Sequence, residues 1–308
     1  MKQPLKRPGD PVTQPTRTQR RVLAARNEIY FQPQPEGDDL AFSARELVQA
    51  TLPHRNPPGN PPIWSRRNGH YVLRIQPGYT IDRSTGEDVC LGYPFGSIPR
   101  LLLFWLTAEA VRTKSRRLEL GDTLASFLRE LGLDPSRGGP RSDAQRFRQQ
   151  MERLFRATIS FDYVGEGQTR WLDMQVAPVG QLWWDPQQPE QAVLCGSWVE
   201  LGEHFSGAIT AHPVPLDMRT LRALKNSPLA LDLYAWLAYR SFRNHGTAFV
   251  SWPQLRQQFG AEYKDTDGFK RRTKDALRKV RAIYRELRVE DVAGGLRLLP
   301  SPPLIAPR

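Results

Sequence analysis

The sequence predicts an α+β chain in which a unit of helices closed by a β hairpin occurs twice. Three observations predict it. Two apolar helices centred on Trp105 and Trp236 begin two parallel series of elements. Each series contains a helix with a clean apolar stripe and a polar, largely basic outer face. Before both, residues 1–62 hold PLKRPGDP, FQPQPEGDD and NPPGNPP, a composition that cannot bury a core.

Residues 1–62 are therefore expected to form a flexible, basic, Pro-rich arm. Within it, SARELVQAT predicts one short helix from Ser43 to Thr51, with Ser43 as N-cap and Glu46 completing a capping box. Folded structure is expected to begin near Ile63. Tyr71, Leu73 and Ile75 alternate as in a half-buried strand, and Gln76-Pro77-Gly78 marks a turn.

The first copy of the repeat starts with PRLLLFWLTAEAVRTK and continues through a short extended piece at 118–120. A short helix ending near Gly132 follows, then a third helix with Ser142 and Gln145 as a capping box. Its stripe is Ala144, Phe147, Met151, Leu154 and Phe155. A hairpin closes the copy: Ile159, Phe161 and Tyr163 alternate, Gly165-Glu166-Gly167 turns, and Leu172, Met174 and Val176 alternate back. The second copy repeats the order. SPLALDLYAWLAYR leads to the extended piece at 248–250, then to a short helix capped by Ser251 with Pro253 and Gln254 and closed by Gly260. Its third helix, within DGFKRRTKDALRKVRAIYRELR, carries the stripe Phe269, Thr273, Ala276, Leu277, Val280, Ile283, Tyr284 and Leu287. A hairpin turning at Gly294-Gly295 ends it.

Helix, short strand, helix, helix, hairpin is the order of a winged helix, a helix-turn-helix with a β wing. The expected division is an arm at 1–62, a first winged-helix domain with a strand extension at 63–215, and a second winged-helix domain at 216–308. Two generic α+β units with basic surfaces remain the alternative to this fold.

The 308 residues carry 44 Lys and Arg against 32 Asp and Glu, a net charge of +12. The excess concentrates in the arm, around 137–156 and around 264–288. Like charges four apart repel on an isolated helix, so a stripe that keeps them faces water or a polyanion. Acids too few to neutralise the stripe favour the polyanion. The major groove of B-DNA admits one helix, and groove-entering helices touch bases with their first half. The candidate DNA-binding residues are Arg141, Gln145 and Arg148 on the first third helix. On the second they are Lys270, Arg271, Lys274 and Arg278, with Arg281 and Arg285 further along for phosphates. Glu152 shares the outer face in the first copy.

Other chemistries lack their residues. No GxxxxGK[ST] loop, HExxH or CxxC occurs, and the histidines show no metal-ligand spacing. Asp162 and Asp173 are not gathered with other acids in the sequence. Cys90 and Cys195 suggest no disulfide framework, and no span of transmembrane length or secretory h-region is present. The expectation is a cytoplasmic, non-enzymatic protein without cofactor or membrane partner. Trp105, Trp236 and Tyr239 are read as core, Trp183-Trp184 as packed, and His54 as an ordinary residue.

The run YPFGSIPRLLLFWLTAEAVRTKSRRLELGDTLASFLRELGL, then QRFRQQMERLFRATISF, and AHPVPLDMRTLRALKNSPLALDLYAWLAYR resemble the RepA-type plasmid replication initiators. The resemblance spans about residues 70–300 and leaves the arm uncovered. It implies tandem winged helices that bind repeated duplex DNA sites at a plasmid origin, help open the duplex and bring in host helicase or initiator proteins. It also implies self-repression, often as a homodimer. A winged-helix repressor with no role in initiation, and a DNA-processing enzyme such as a primase or nickase, are the two rival functions.

Overall fold

The computed structural model describes residues 14–303 and 305, apart from 83, 137, 166, 186, 193–195, 244–245 and 261. Its first element is helix α1 (Arg17–Phe31). Thr16 caps it, accepting from the Gln19 N–H at 3.2 Å while the Thr16 N–H donates to Gln19 Oε1 at 2.8 Å. Val22, Ala25 and Ile29 lie on one face and are buried. Strand β1 (Leu40–Ala44) and helix α2 (Arg45–Gln49) follow.

These elements correct the expected arm. Residues 1–13 of it lie outside the described residues, but from residue 14 onward the chain contributes to the core. Ala41, Ala44, Ala50 and Leu52 are almost completely buried. The helix expected from Ser43 starts two residues later, with Ala44 at its N-cap and no side-chain cap. Ser43 belongs instead to β1, which pairs antiparallel with residues 213–217, Ser43 opposite Val214. A ladder partner that far along the chain outcompetes a local cap, and composition cannot reveal it.

Four strands lead into the first repeat: β2 (Trp64–Asn68), β3 (Tyr71–Gln76), β4 (Tyr79–Ile81) and β5 (Asp88–Cys90). The repeat itself has the expected order. Helix α3 (Ser97–Thr113) is followed by β6 (Arg117–Glu119), α4 (Leu124–Glu130) and α5 (Asp143–Arg156). The hairpin of β7 (Thr158–Gly165) and β8 (Gln168–Met174) ends it, with Gly165 opposite Gln168. Glu166 of the expected turn lies outside the described residues. Gly132 closes α4 in the left-handed region at φ +72°. The Gly132 N–H donates to the Arg129 carbonyl at 2.8 Å and the Leu133 N–H to the Leu128 carbonyl at 2.7 Å, a Schellman closure.

The sheet of this first module is built differently from the simple pattern. The hairpin does not take β6. It adds β3 and β2, giving the order β2-β3-β7-β8. Leu73 faces Phe161 and Ile75 faces Ile159 across the β3–β7 pair, so the inward faces of both strands are buried together. Strand β6 pairs instead with β10 (Trp198–Glu200), which pairs with β9 (Val179–Gln181).

Helix α6 (Glu203–Ala211), strand β11 (Pro213–Asp217) and helix α7 (Met218–Leu224) connect the two repeats. The second repeat runs α8 (Pro228–Arg243), β12 (Ala248–Ser251), α9 (Trp252–Phe259), α10 (Thr266–Ile283), β13 (Val289–Val292) and β14 (Gly295–Leu298). Its strands form one sheet, β12-β14-β13. Ser251 caps α9 with Gln254 in a full capping box and Pro253 in the first turn. The chain thus has the mixed α and β architecture expected, with many helices and several small sheets.

Aromatic contacts centre each module. The Trp105 ring lies 4.7 Å from Phe127, which in turn lies 5.5 Å from Phe147 and 5.3 Å from Trp184. Trp236 lies 5.7 Å from Phe259. The Trp183-Trp184 pair divides: Trp184 is buried, whereas Trp183 is exposed. Helix α1 packs on α7 and α10, so the N-terminal segment joins the second module. Ile29→Ala is expected to cost about 2–4 kcal/mol of stability, the usual cost of a large-to-small change in a packed site. A urea midpoint unchanged by the substitution would return α1 to the status of a free arm.

Candidate nucleic-acid interface

Helix α10 begins at Asp265, whose side chain accepts from the Gly268 N–H at 2.5 Å. Its stripe is buried as the spacing predicts: Phe269, Thr273, Ala276, Leu277, Val280 and Ile283, continued by Tyr284 and Leu287. Committing one side to the core puts the basic side outward. Arg271, Arg272, Lys274, Arg278, Arg281 and Arg285 are all exposed. The helix ends at Ile283, with Tyr284 as C-cap, so Arg285 sits in the turn toward β13 rather than on the helix.

The basic residues are not equally available. Lys270 Nζ is 3.2 Å from Asp267. Arg278 pairs with Asp275. Lys274 pairs with Asp291 on β13, and its Nζ lies 5.7 Å from the Trp252 ring centre. Lys274 therefore ties the helix to the hairpin. Arg271, Arg272, Arg281 and Arg285 have no acidic partner among the described residues. They are among the charges free to meet an anion.

On α5 the stripe Ala144, Phe147, Met151, Leu154 and Phe155 is buried as predicted, joined by Gln150. Ser142 caps by accepting from the Gln145 N–H at 3.2 Å. Arg141 is exposed just ahead of that cap, and Gln145 is half-buried. Arg148 is engaged within the protein. Its Nη1 donates to the Trp184 carbonyl at 2.7 Å and its Nε to Glu152 at 3.1 Å. By spacing, Arg141, Gln145, Arg148 and Glu152 are expected on the outer face. The loop around Trp184 takes up Arg148, and the more open face carries Arg146, Gln149 and Arg153.

The two modules are held together by a buried ionic network that sequence reasoning missed. Arg100 of α3 grips Asp232 of α8 bidentately, Nε to Oδ1 at 2.7 Å and Nη2 to Oδ2 at 2.8 Å. Its remaining donors reach the carbonyls of Leu52, Pro53 and Gly96. His54 Nε2 is 2.7 Å from Asp232 Oδ2. Arg66 of β2 donates to Glu262 Oε1 and to Thr51 Oγ1, both at 2.5 Å. The signal was present: Arg100 and Asp232 each interrupt an apolar run a turn or so before the central tryptophan. Charges inside an apolar helix need a partner, and here each supplies the other.

Burial pushes the Asp232 carboxyl up, but the Arg100 charge and the hydrogen bonds from His54 and Arg100 outweigh it and hold it well below the carboxylate range. Burial pulls His54 down, and Asp232 recovers only part of that fall, with Arg100 and Arg66 opposing protonation. A histidine with a lowered folded-state value resists the proton that the unfolded chain accepts. Its contribution to stability is full above about pH 6.5 and is lost as pH falls below that. Asp232 acts in the same direction, but only below about pH 4. The melting temperature is therefore expected to fall between about pH 7 and pH 5, and His54→Gln to flatten that fall. Parallel profiles for the two proteins would rule out His54 as its source.

A two-module α+β scaffold, locked at a buried ionic junction and presenting helices with basic outer faces, is the class these features define. The family described as plasmid encoded RepA protein matches residues 93–254, more than half of the 308 residues, and the chain belongs to that family. The likeness to RepA-type plasmid replication initiators is thereby shown, over a span running from just before α3 into α9. No curated protein sequence matches the chain. Among solved structures, a selenomethionine crystal structure of domains 2 and 3 of RctB has a TM-score of 0.48 at 13% identity, covering 82% of this chain and 94% of that one. A second crystal structure of RctB domains 2-3 has a TM-score of 0.47 at 12% identity, covering 82% and 93%. No helix among the described residues is long and apolar enough to cross a membrane.

Proposed function

We propose that this RepA-family chain binds repeated duplex sites at a plasmid origin through two winged-helix modules, and that it acts by binding rather than catalysis. The observation that carries the reading is α10: a stripe wholly committed to the core, opposed by an outer stripe in which Arg271 and Arg281 are unpaired. Free guanidinium groups along one helix match phosphates and guanine edges. Counterion release supplies the affinity, and base contacts select the site. In the same reading, Arg141 and Gln145 lie at the start of α5, while Lys274 fixes the hairpin of the second module against α10. Two modules on one rigid chain raise the local concentration of the second contact. Bending imposed by both contacts supplies energy toward opening an adjacent stretch, where host helicase or initiator proteins would be recruited. A homodimer belongs to this reading as a partner on adjacent or inverted sites.

The test is a salt-dependent titration of the full chain against the repeat-containing DNA beside its gene and against a scrambled duplex of equal length. Tight, steeply salt-dependent binding to the repeats, with much weaker binding to the scrambled duplex, is the expected result. Equal affinity for both would leave a DNA-coating protein without site recognition. Site-specific binding without replication of an origin plasmid would favour a repressor.

A further inference from the structure

A cleft of about 560 Å³ runs along the junction of the two modules. One wall is the open face of α5, with Arg146, Gln149 and Arg153. The other is the turn before α8, with Lys225 and Asn226, and the segment containing Arg55 crosses its end. One carboxylate, Asp143, lines it, and that group already accepts from the Asp134 N–H at 3.0 Å and lies 3.5 Å from Arg146.

The fully buried arginines of the fold each meet a carboxylate: Arg66 with Glu262, Arg100 with Asp232 and Arg219 with Asp217. In the cleft Arg55, Arg146, Arg153 and Lys225 share the single carboxylate of Asp143. Arg153 is half-buried, lies over the Phe95 ring at 5.5 Å, and has no acidic partner among the described residues. Lys225 donates to the Gly132 carbonyl, a neutral group. Arg55 is exposed, also without an acidic partner among the described residues.

We propose that this cleft is a phosphodiester-binding site, in which Arg55, Arg146, Arg153 and Lys225 hold the backbone of DNA passing from the α5 face toward the α10 face. Asn56, Gln149 and Asn226 supply neutral donors along the same path. The cleft reaches toward the start of α10: His54, which lines it, donates its backbone N–H to Glu262 Oε1 at 3.2 Å, and its ring lies 6.3 Å from that of Tyr263, just ahead of that helix. Burial pulls Lys225 and Arg153 below their ordinary values; for Lys225 the neighbouring Arg21 charge adds to the fall and Asp143 opposes it. The inference rests on the DNA-binding reading above and adds the junction to it.

The experiment uses the full chain carrying Arg55→Gln and Arg146→Gln together, because both side chains are exposed and neither anchors the core. Binding to the repeat duplex, to a scrambled duplex and to a single strand of the same length is measured across salt. The expected result is a salt slope shallower by about 2 and a loss of roughly tenfold or more, equal for repeat and scrambled duplex, with an unchanged melting temperature. A loss confined to the single strand would also support a phosphodiester site, and would assign it to the opened strand. Unchanged slopes on every DNA, while the wild-type chain still binds the repeats, would overturn this site alone. A collapse of the repeat-to-scrambled ratio would overturn it as well, because base reading would then lie at the junction. Absence of DNA binding by the wild-type chain would remove this site and the function above together.

Discussion

Asp232→Ala is expected to lower the melting temperature by on the order of 10 °C. The carboxylate is buried and meets both Arg100 and His54. Removing it leaves the Arg100 guanidinium in the interior with carbonyl partners only. Breaking one half of a buried pair costs about 3–5 kcal/mol, because the surviving charge stays desolvated. Replacing Arg100 and Asp232 together with apolar residues of similar volume is expected to cost much less than either alanine variant. That contrast separates an ionic lock from simple loss of packing. A melting temperature within about 2 °C of wild type for Asp232→Ala would show that the junction is held by its apolar contacts and that the network is incidental.

The second large effect concerns binding. Arg271→Ala with Arg281→Ala is expected to weaken binding to origin repeats by roughly a hundredfold at moderate salt, as about 1–3 kcal/mol is lost for each well-made base contact and less for a phosphate. Both side chains are exposed on α10 and free of acidic partners, so the fold should not move. If Arg271 reads a base, the variant loses more affinity for the repeats than for scrambled DNA. If both arginines meet only phosphate, the two affinities fall together and the salt slope drops by about 2. Wild-type binding by this variant would remove α10 from the interface. Lys274→Ala is a less direct probe, because it also cuts the link to Asp291 and uncovers Trp252.

From residue 14 onward the N-terminal segment carries stability rather than reach. Deleting residues 1–60 would remove β1, whose whole length pairs with β11, together with Leu52 and His54 at the junction. Loss of origin binding in that deletion would follow from unfolding and would say nothing about an arm.

Much of the repeat was legible because it is local. The buried stripes of α5 and α10 follow from steps of three and four residues, and each predicted member is buried. The caps at Ser142 and Ser251 and the closures at Gly132 and Gly260 depend on residues at most a few positions apart. The free charge of α10 was legible for the same reason: when one face is core, the other is surface.

What the sequence by itself determined, then, is the helices and hairpins of the two repeats, the buried faces of their third helices and the basic excess of the chain. Only the tertiary structure decided where β1, β2 and β3 pair, that α1 docks on the second module, that Arg148 is spent on the Trp184 carbonyl, and that Arg146 and Arg153 face the junction cleft. Periodicity records which side of an element is buried, because burial repeats with the backbone. It does not record which distant segment buries it, since strand pairing and charge pairing join residues more than a hundred positions apart, as Arg100 and Asp232 do.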